Sequence, residues 1–248
     1  MTAVAATAVM GFSMTSVAAA QATTGSLTIW SSGPTNYVYF NQINKNSSGT
    51  SAVTFSGVWG GATPVQWAVA KAELRDEFGF ICNGPQNFSS SSDGVASTSC
   101  LDFRGEASKG TVWGWNGATW IQHTTNTVWW DPNNPNRAAS VENPEWPVNA
   151  AGQTYGNSAL ADPSNSPDLM TATATNGARG YLLKTDMDSA TANDLFAGGA
   201  SPATIQEWID TVGSVDRSIP VYATDGTTVL GEYLIPAVNQ ETAIPTLE

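Results

Sequence analysis

The chain has 248 residues, of which only 12% are charged, and its 21 acidic against 9 basic side chains give a formal charge of −12. A surface so poor in Lys and Arg repels phosphate backbones and anionic lipid, so no nucleic acid is expected as a partner. Solubility falls to Ser, Thr, Asn and Gly, and the aromatic content is weighted toward Trp, with ten residues.

Residues 1–20 open on an uncharged run rich in Ala and Val and end on Val17-Ala18-Ala19-Ala20, small residues that suit a signal-peptidase cut before Gln21. This segment is read as a signal peptide, although its basic start is missing: the first Lys or Arg is Lys45. A buried N-terminal helix is the alternative. A membrane span is disfavoured because the run is short of the ~20 apolar residues required and is broken by polar residues, so none is expected in the mature chain. About 228 residues remain, enough for one large or two small domains at the usual ~100–200 each.

Short strands are expected at 26–30, 37–40 and 52–55, separated by Ser32-Gly33-Pro34 and by the polar run 41–50. Thr63 as N-cap, Pro64 at the first helical position and Gln66 as the far corner of a capping box predict a helix ending at Gly79. Trp67, Ala70, Leu74 and Phe78 would form its buried stripe. Cys82 and Cys100 are the only cysteines, and in an exported chain an even count predicts a disulfide between them. A metal site or redox pair fits less well, because the spacing is wrong and His123 is the only histidine.

Asn116-Gly117 reads as a two-residue hairpin turn that sets Trp113 opposite Trp120, with a following strand at 124–130. Trp129 and Trp130 are adjacent, so they point to opposite faces of that strand and one of them is expected outside the core. Proline and Asn then dominate 131–147, which predicts an inter-domain connection with its boundary near 142.

Beyond it, Asn176-Gly177 predicts a hairpin pairing Ala174 with Arg179, Ala172 with Tyr181 and Met170 with Leu183. Asp225-Gly226 predicts a second, pairing Tyr222 with Val229 and Val221 with Leu230. Between them, Ser201 caps a helix over 202–212 with Ile205, Trp208, Ile209 and Val212 on its buried side. The strings Gly152-Gln153-Thr154-Tyr155-Gly156, Ser166-Pro167-Asp168-Leu169, Gly180-Tyr181-Leu182, Ile219-Pro220-Val221-Tyr222 and Val229-Leu230-Gly231-Glu232-Tyr233 complete the unit. Over about residues 150–236 it resembles a C-terminal module of exported Gram-positive, mostly actinobacterial, proteins of unassigned function. The resemblance implies compartment and lineage and carries over no catalytic residue.

Candidate chemistry is sparse. His123 has no Gly-x-Ser-x-Gly elbow or His-Glu-x-x-His motif beside it and reads as a surface or capping residue. Asp131, Glu142 and Glu145 near Trp129, Trp130 and Trp146 would supply the paired carboxylates of a glycosidase, but they sit in a Pro/Asn-rich stretch. Asp186 with Asp188, or Asp131 with Asn133 and Asn136, have oxygen ligands at a spacing that would suit calcium, yet Asx-turns and caps explain them as well, so no cofactor is expected. The tryptophan excess is the best lead: exposed rings stack on sugars, and Trp115, Trp129 and Trp130 are the candidate ligand-binding residues, against the alternative that Trp fills a core short of aliphatics.

The expected architecture is therefore α+β. It comprises a β-rich N-terminal domain over 21–142 with one helix and one disulfide, a Pro-rich connection over 143–151, a small ββαββ unit over 152–236 and a tail over 237–248. The expected function is a secreted or cell-surface, non-catalytic protein that interacts with cell-wall or extracellular polysaccharide. An exported wall or polysaccharide hydrolase and a secreted toxin or bacteriocin-like factor are the alternatives.

Overall fold

The computed structural model describes residues 21–25, 27–32, 35–46, 49–60, 68–89, 95–98, 102, 104–130, 144–158, 161 and 165–240. The fold is sheet-rich, 51% strand against 15% helix, which corrects the expected α+β architecture. Cys82 is disulfide-bonded, and Cys100, the partner expected for it, lies outside the described residues.

The first sheet is built from β1 (Gln21–Thr24), β2 (Thr28–Ser32), β3 (Thr35–Asn46), β4 (Gly49–Gly60) and, after an intervening stretch of chain, β8 (Val95–Thr98). Its order is β1-β3-β4-β8, with β2 also on β3. The polar run after Phe40 does not end a strand. It continues β3 through Asn46, paired residue for residue with β4.

The second sheet takes β5 (Ala68–Arg75), β6 (Phe80–Asn83), β7 (Asn87–Ser89), β9 (Ala107–Trp115), β10 (Trp120–Thr124) and β11 (Val128–Trp129). It then adds β12 (Tyr155–Gly156), β13 (Leu169–Thr173), β14 (Arg179–Leu183), β15 (Arg217–Tyr222), β16 (Val229–Ile235) and β17 (Asn239–Gln240). The path runs β10-β9-β5-β6-β13-β14-β15-β16. One parallel bridge, Ala172 to Phe80, joins its two halves, and β17 runs parallel to β7. Strands from both sides of the Pro-rich stretch thus share a sheet.

Among the described residues, 68–78, of the segment expected to be helical there is no helix. Residues 61–67, including the Thr63-Pro64 start, lie outside the described residues, and β5 occupies the rest. Ala68, Ala70, Ala72 and Leu74 face the first sheet, packing on Trp30, Tyr37, Ile43 and Ala52. Val69, Lys71, Glu73 and Arg75 take the other face. All eight residues are buried. On β9, Gly110 and Gly114 let the first sheet approach, since a Cβ on Gly110 would collide with Thr54 and one on Gly114 would come 2.6 Å from Trp30 and 2.7 Å from Tyr37.

The face carrying Val69 is covered by helices. They are α1 (Lys184–Ala190), α2 (Asn193–Ala197) and α3 (Pro202–Trp208), the last running on into a π-helical turn, Ile209–Gly213. Ser201 caps α3 as its sequence predicts, its Oγ accepting from Thr204 N at 3.2 Å. The wider π turn then swings Val212 out to 44% exposure, while Ile205 and Ile209 stay buried. Those two residues pack with Phe196 on Val69, Phe88, Trp113 and Trp120, and not on the hairpins that flank α3 in sequence. The expected ββαββ layer is therefore replaced by a helix that serves the N-terminal strands. The hairpins have their own core of Phe80, Met170, Ala172, Leu182, Ile219, Val221, Tyr233 and Ile235, closed by Met187 of α1.

All three hairpin registers differ from expectation, the third at one pair only. Asn116-Gly117 sits in a four-residue loop in which Asn116 Oδ1 accepts from Ala118 N and Thr119 N. Trp115 consequently pairs with Trp120, and Trp113 with Gln122. Around Asn176, Gly177 adopts φ +85 beyond a turn closed by Gly177 N donating to Ala174 O, and the pairing moves one residue, to Met170 with Leu182 and Ala172 with Gly180. The Asp225 hairpin pairs Tyr222 with Val229 as expected, but a bulge then sets Val221 against Gly231.

Candidate aromatic binding site

β2 lies at the edge of the first sheet and β10 at the edge of the second, and a stack of rings bridges them. Alternation along β3 puts Tyr37 and Tyr39 on the inner face, and Trp30 pairs with Tyr37. Trp30 stacks on Tyr37 with centroids 4.5 Å apart and planes 16° from parallel. His123 of β10 lies 4.4 Å from Trp30 and 5.9 Å from Tyr39, nearly parallel to the latter. Tyr37 is anchored below by donating from its hydroxyl to Trp115 O at 2.9 Å. Trp30 and Tyr37 are buried, whereas Tyr39 and His123 are half-buried and form the outer end of the stack.

Burial lowers the His123 pKa below its ordinary 6.5, so at neutral pH the ring is uncharged, with one donor and one acceptor nitrogen. Burial pushes the Tyr37 hydroxyl up to about 12 and keeps it a donor. Trp30 Nε1 is buried with no hydrogen-bond partner among the described residues. The arrangement offers flat apolar faces beside a neutral imidazole, which suits holding a ring-shaped, uncharged ligand.

The candidate tryptophans are not brought together. Trp115 is half-buried against Trp120, centroids 5.3 Å apart, and helps cover the helix-side core. Trp129 sits opposite Ala107 at the far end of β9. Eight residues of strand separate Ala107 from Trp115, roughly 26 Å. Trp130 packs on the cluster of Ile43, Leu74 and Val128. Trp146 donates from its indole to Asn165 O at 2.7 Å, a structural role. The rings that the structure brings together are signalled in the sequence only by the alternation Tyr37-Val38-Tyr39 and by the lone His123, for which a surface or capping position is expected.

The other candidates separate as well. Asp131, Asn133, Asn136 and Glu142 lie outside the described residues, and Glu145 is exposed. Asp188 is engaged by Lys184 Nζ and by Asn193 Nδ2, the latter at 3.0 Å. Asp186 Oδ2 accepts from Tyr222 at 3.5 Å. Among the described residues no group of three His, Cys, Asp or Glu could hold a metal, and no helix is long and apolar enough to cross a membrane.

The most perturbed carboxylate is Glu73. Burial would raise its pKa, but Arg75 and Lys71, with Lys109 behind them, bring it down to about 2. Arg75 donates to Glu73 Oε2 at 2.6 and 3.2 Å, and Lys71 Nζ lies 3.2 Å from Oε1. Lys109 Nζ donates to the carbonyls of Ser158 and Ala161, and Arg75 reaches Ser158 Oγ at 3.4 Å. Perturbed groups often mark active sites. Here the carboxylate is saturated by its own strand, and the cations tie residues 158 and 161 over the sheet, which is a structural use. No family model matches the chain, and no curated protein or solved structure matches it.

Proposed function

We propose that this is a non-catalytic protein of the extracellular space or cell envelope that binds a neutral sugar ring against Tyr39 and His123. The observation that carries the reading is the ring stack between the edge strands of the two sheets, with a neutral imidazole and a phenol, both half-buried, at its outer end. The charge of −12 favours an uncharged ligand over an anionic one. The resemblance of residues 150–236 to an exported Gram-positive module, together with the signal-like residues 1–20, supports the compartment.

Trp30 touches His123 directly, so its fluorescence is the natural reporter. Titration with neutral oligosaccharides and soluble peptidoglycan fragments is expected to give a saturable change with at least one of them. Tyr39→Ala should weaken that binding about tenfold, the scale of one lost ring contact. Trp129→Ala, at the far end of β9, should leave it unchanged. A flat response across the whole panel, or full affinity in Tyr39→Ala, overturns the proposal.

A further inference from the structure

The sequence contains three Asn-Gly pairs, at 83–84, 116–117 and 176–177. Asparagine before glycine is labile, because with no Cβ in the way the glycine nitrogen can attack the side-chain Cγ. The attack needs a free amide nitrogen, a Cγ held within reach and support for the charge that grows on the side-chain oxygen. The three pairs differ in these respects. Asn83 is buried, its Oδ1 accepting from Tyr233 Oη at 3.3 Å and its Nδ2 donating to Met187 Sδ at 3.6 Å. Gly84 N is committed to Ala72 O at 2.9 Å. At the second hairpin, Asn176 Nδ2 donates to Leu230 O at 3.1 Å, Oδ1 accepts from a single amide, Ala178 N, and Gly177 N donates to Ala174 O at 2.8 Å. Leaving group and nucleophile are both engaged there.

The loop between β9 and β10 is the reverse. Gly117 is exposed, has open space where a Cβ would sit, and its N–H has no hydrogen-bond partner among the described residues. The Asn116 side chain bonds through Oδ1, which accepts from Ala118 N at 2.9 Å and from Thr119 N at 2.8 Å. Those two bonds fold the side chain back across the Gly117 peptide. Two amides on one carbonyl oxygen also draw electrons from Cγ and stand where negative charge develops on attack, as the donors of an oxyanion hole do.

We propose that Asn116-Gly117 is a self-modifying site, at which the folded chain releases ammonia and gains a negative charge. Gly117 N gives its proton to hydroxide and bonds to Asn116 Cγ; the Cγ–Nδ2 bond breaks, and Nδ2 takes a proton from water and leaves as ammonia. Water then opens the cyclic succinimide. Cleavage at Cγ leaves an aspartyl side chain, and cleavage at the main-chain carbonyl leaves an isoaspartyl link that lengthens the loop. That loop joins Trp115, whose carbonyl anchors the Tyr37 hydroxyl, to Trp120, whose indole donates to Ala200 O. The chemistry does not rest on the sugar-binding reading.

Incubation of the full folded chain at mildly alkaline pH tests it, followed by peptide mapping in a mass spectrometer and labelling with an isoaspartyl methyltransferase. Conversion at Asn116 is expected to run at least about fivefold faster than at Asn176 or Asn83, the factor that breaking one amide hydrogen bond imposes. In concentrated guanidinium chloride the three rates should converge, with Asn116 slowed. Gly117→Ala should slow conversion at Asn116 by about tenfold or more, since a Cβ obstructs the approach. Should that variant fail to fold, the comparison of folded and denatured native chain decides. An Asn116 that stays intact in the folded chain overturns the proposal. So does an Asn176 that converts as fast, an Asn116 rate that denaturant leaves unchanged, or a folded Gly117→Ala chain that converts at the native rate.

Discussion

Glu73 is the side chain on which most depends. It is buried, and it is the carboxylate that pairs with both Lys71 and Arg75. Neutralising one member of a buried ion cluster strands the others, so Glu73→Gln is expected to cost about 3–5 kcal/mol in denaturant unfolding. Its pKa is depressed, so its contribution is fully present above the ordinary 4.5 and is lost as pH falls toward about 2. His123 behaves in the same sense at higher pH. Its folded pKa lies below 6.5, so stability holds above that value and declines as pH drops beneath it, when protonation must place charge in the ring stack. His123→Gln should flatten the slope of the thermal midpoint just below pH 6.5. A slope unchanged in that variant would locate the effect elsewhere. The role of Glu73 was not legible in the sequence, because Ala70, Leu74 and Phe78 at helical spacing hide the alternation of Lys71, Glu73 and Arg75 along one face of a strand.

At the level of elements, β5 is the instructive failure. Ala, Leu, Glu, Lys and Arg all favour helices, and Ala70, Leu74 and Phe78 recur at helical spacing. The competing pattern is strict alternation of Ala and Leu against Val, Lys, Glu and Arg, which was hidden because both faces are buried and the polar one is satisfied internally. The Ser201 cap, by contrast, was legible because it is local chemistry: one hydroxyl and one amide. Turn residues were located correctly while registers slipped, since Asn176-Gly177 and Asn116-Gly117 serve longer loops than the two-residue type. The aromatic site needed two edge strands from different sheets and could not be read from either alone. Glycine in β9 makes the packing testable. Gly110→Ala should cost about 1–3 kcal/mol by overpacking against Thr54, and Thr54→Ala should return part of it in a double-mutant cycle. Gly117→Ala, where nothing lies within 4 Å but φ is +98, should cost only about 1 kcal/mol of backbone strain.

For the whole molecule, the relevant fact is that late helices complete an early core. Ile205 and Phe196 close over Val69, Trp113 and Trp120, so the strands before the Pro-rich stretch bury their helix-facing side only when residues after it arrive. Ile205→Ala is expected to cost about 2–5 kcal/mol and to lower the single unfolding transition of the entire chain. Separate transitions for the two halves, with only the later one shifted, would mean that they fold independently.

The pairing of β17 with β7 extends that dependence to the final described residues. Asn239 and Gln240 join Asn87 and Phe88 across most of the chain's length. A topology closed by so distant a contact folds slowly, and its early strands lack their last neighbour until residue 240 has been made. During synthesis β7 therefore keeps an unpaired edge until the end, an edge that a cellular protease or another chain can recognise.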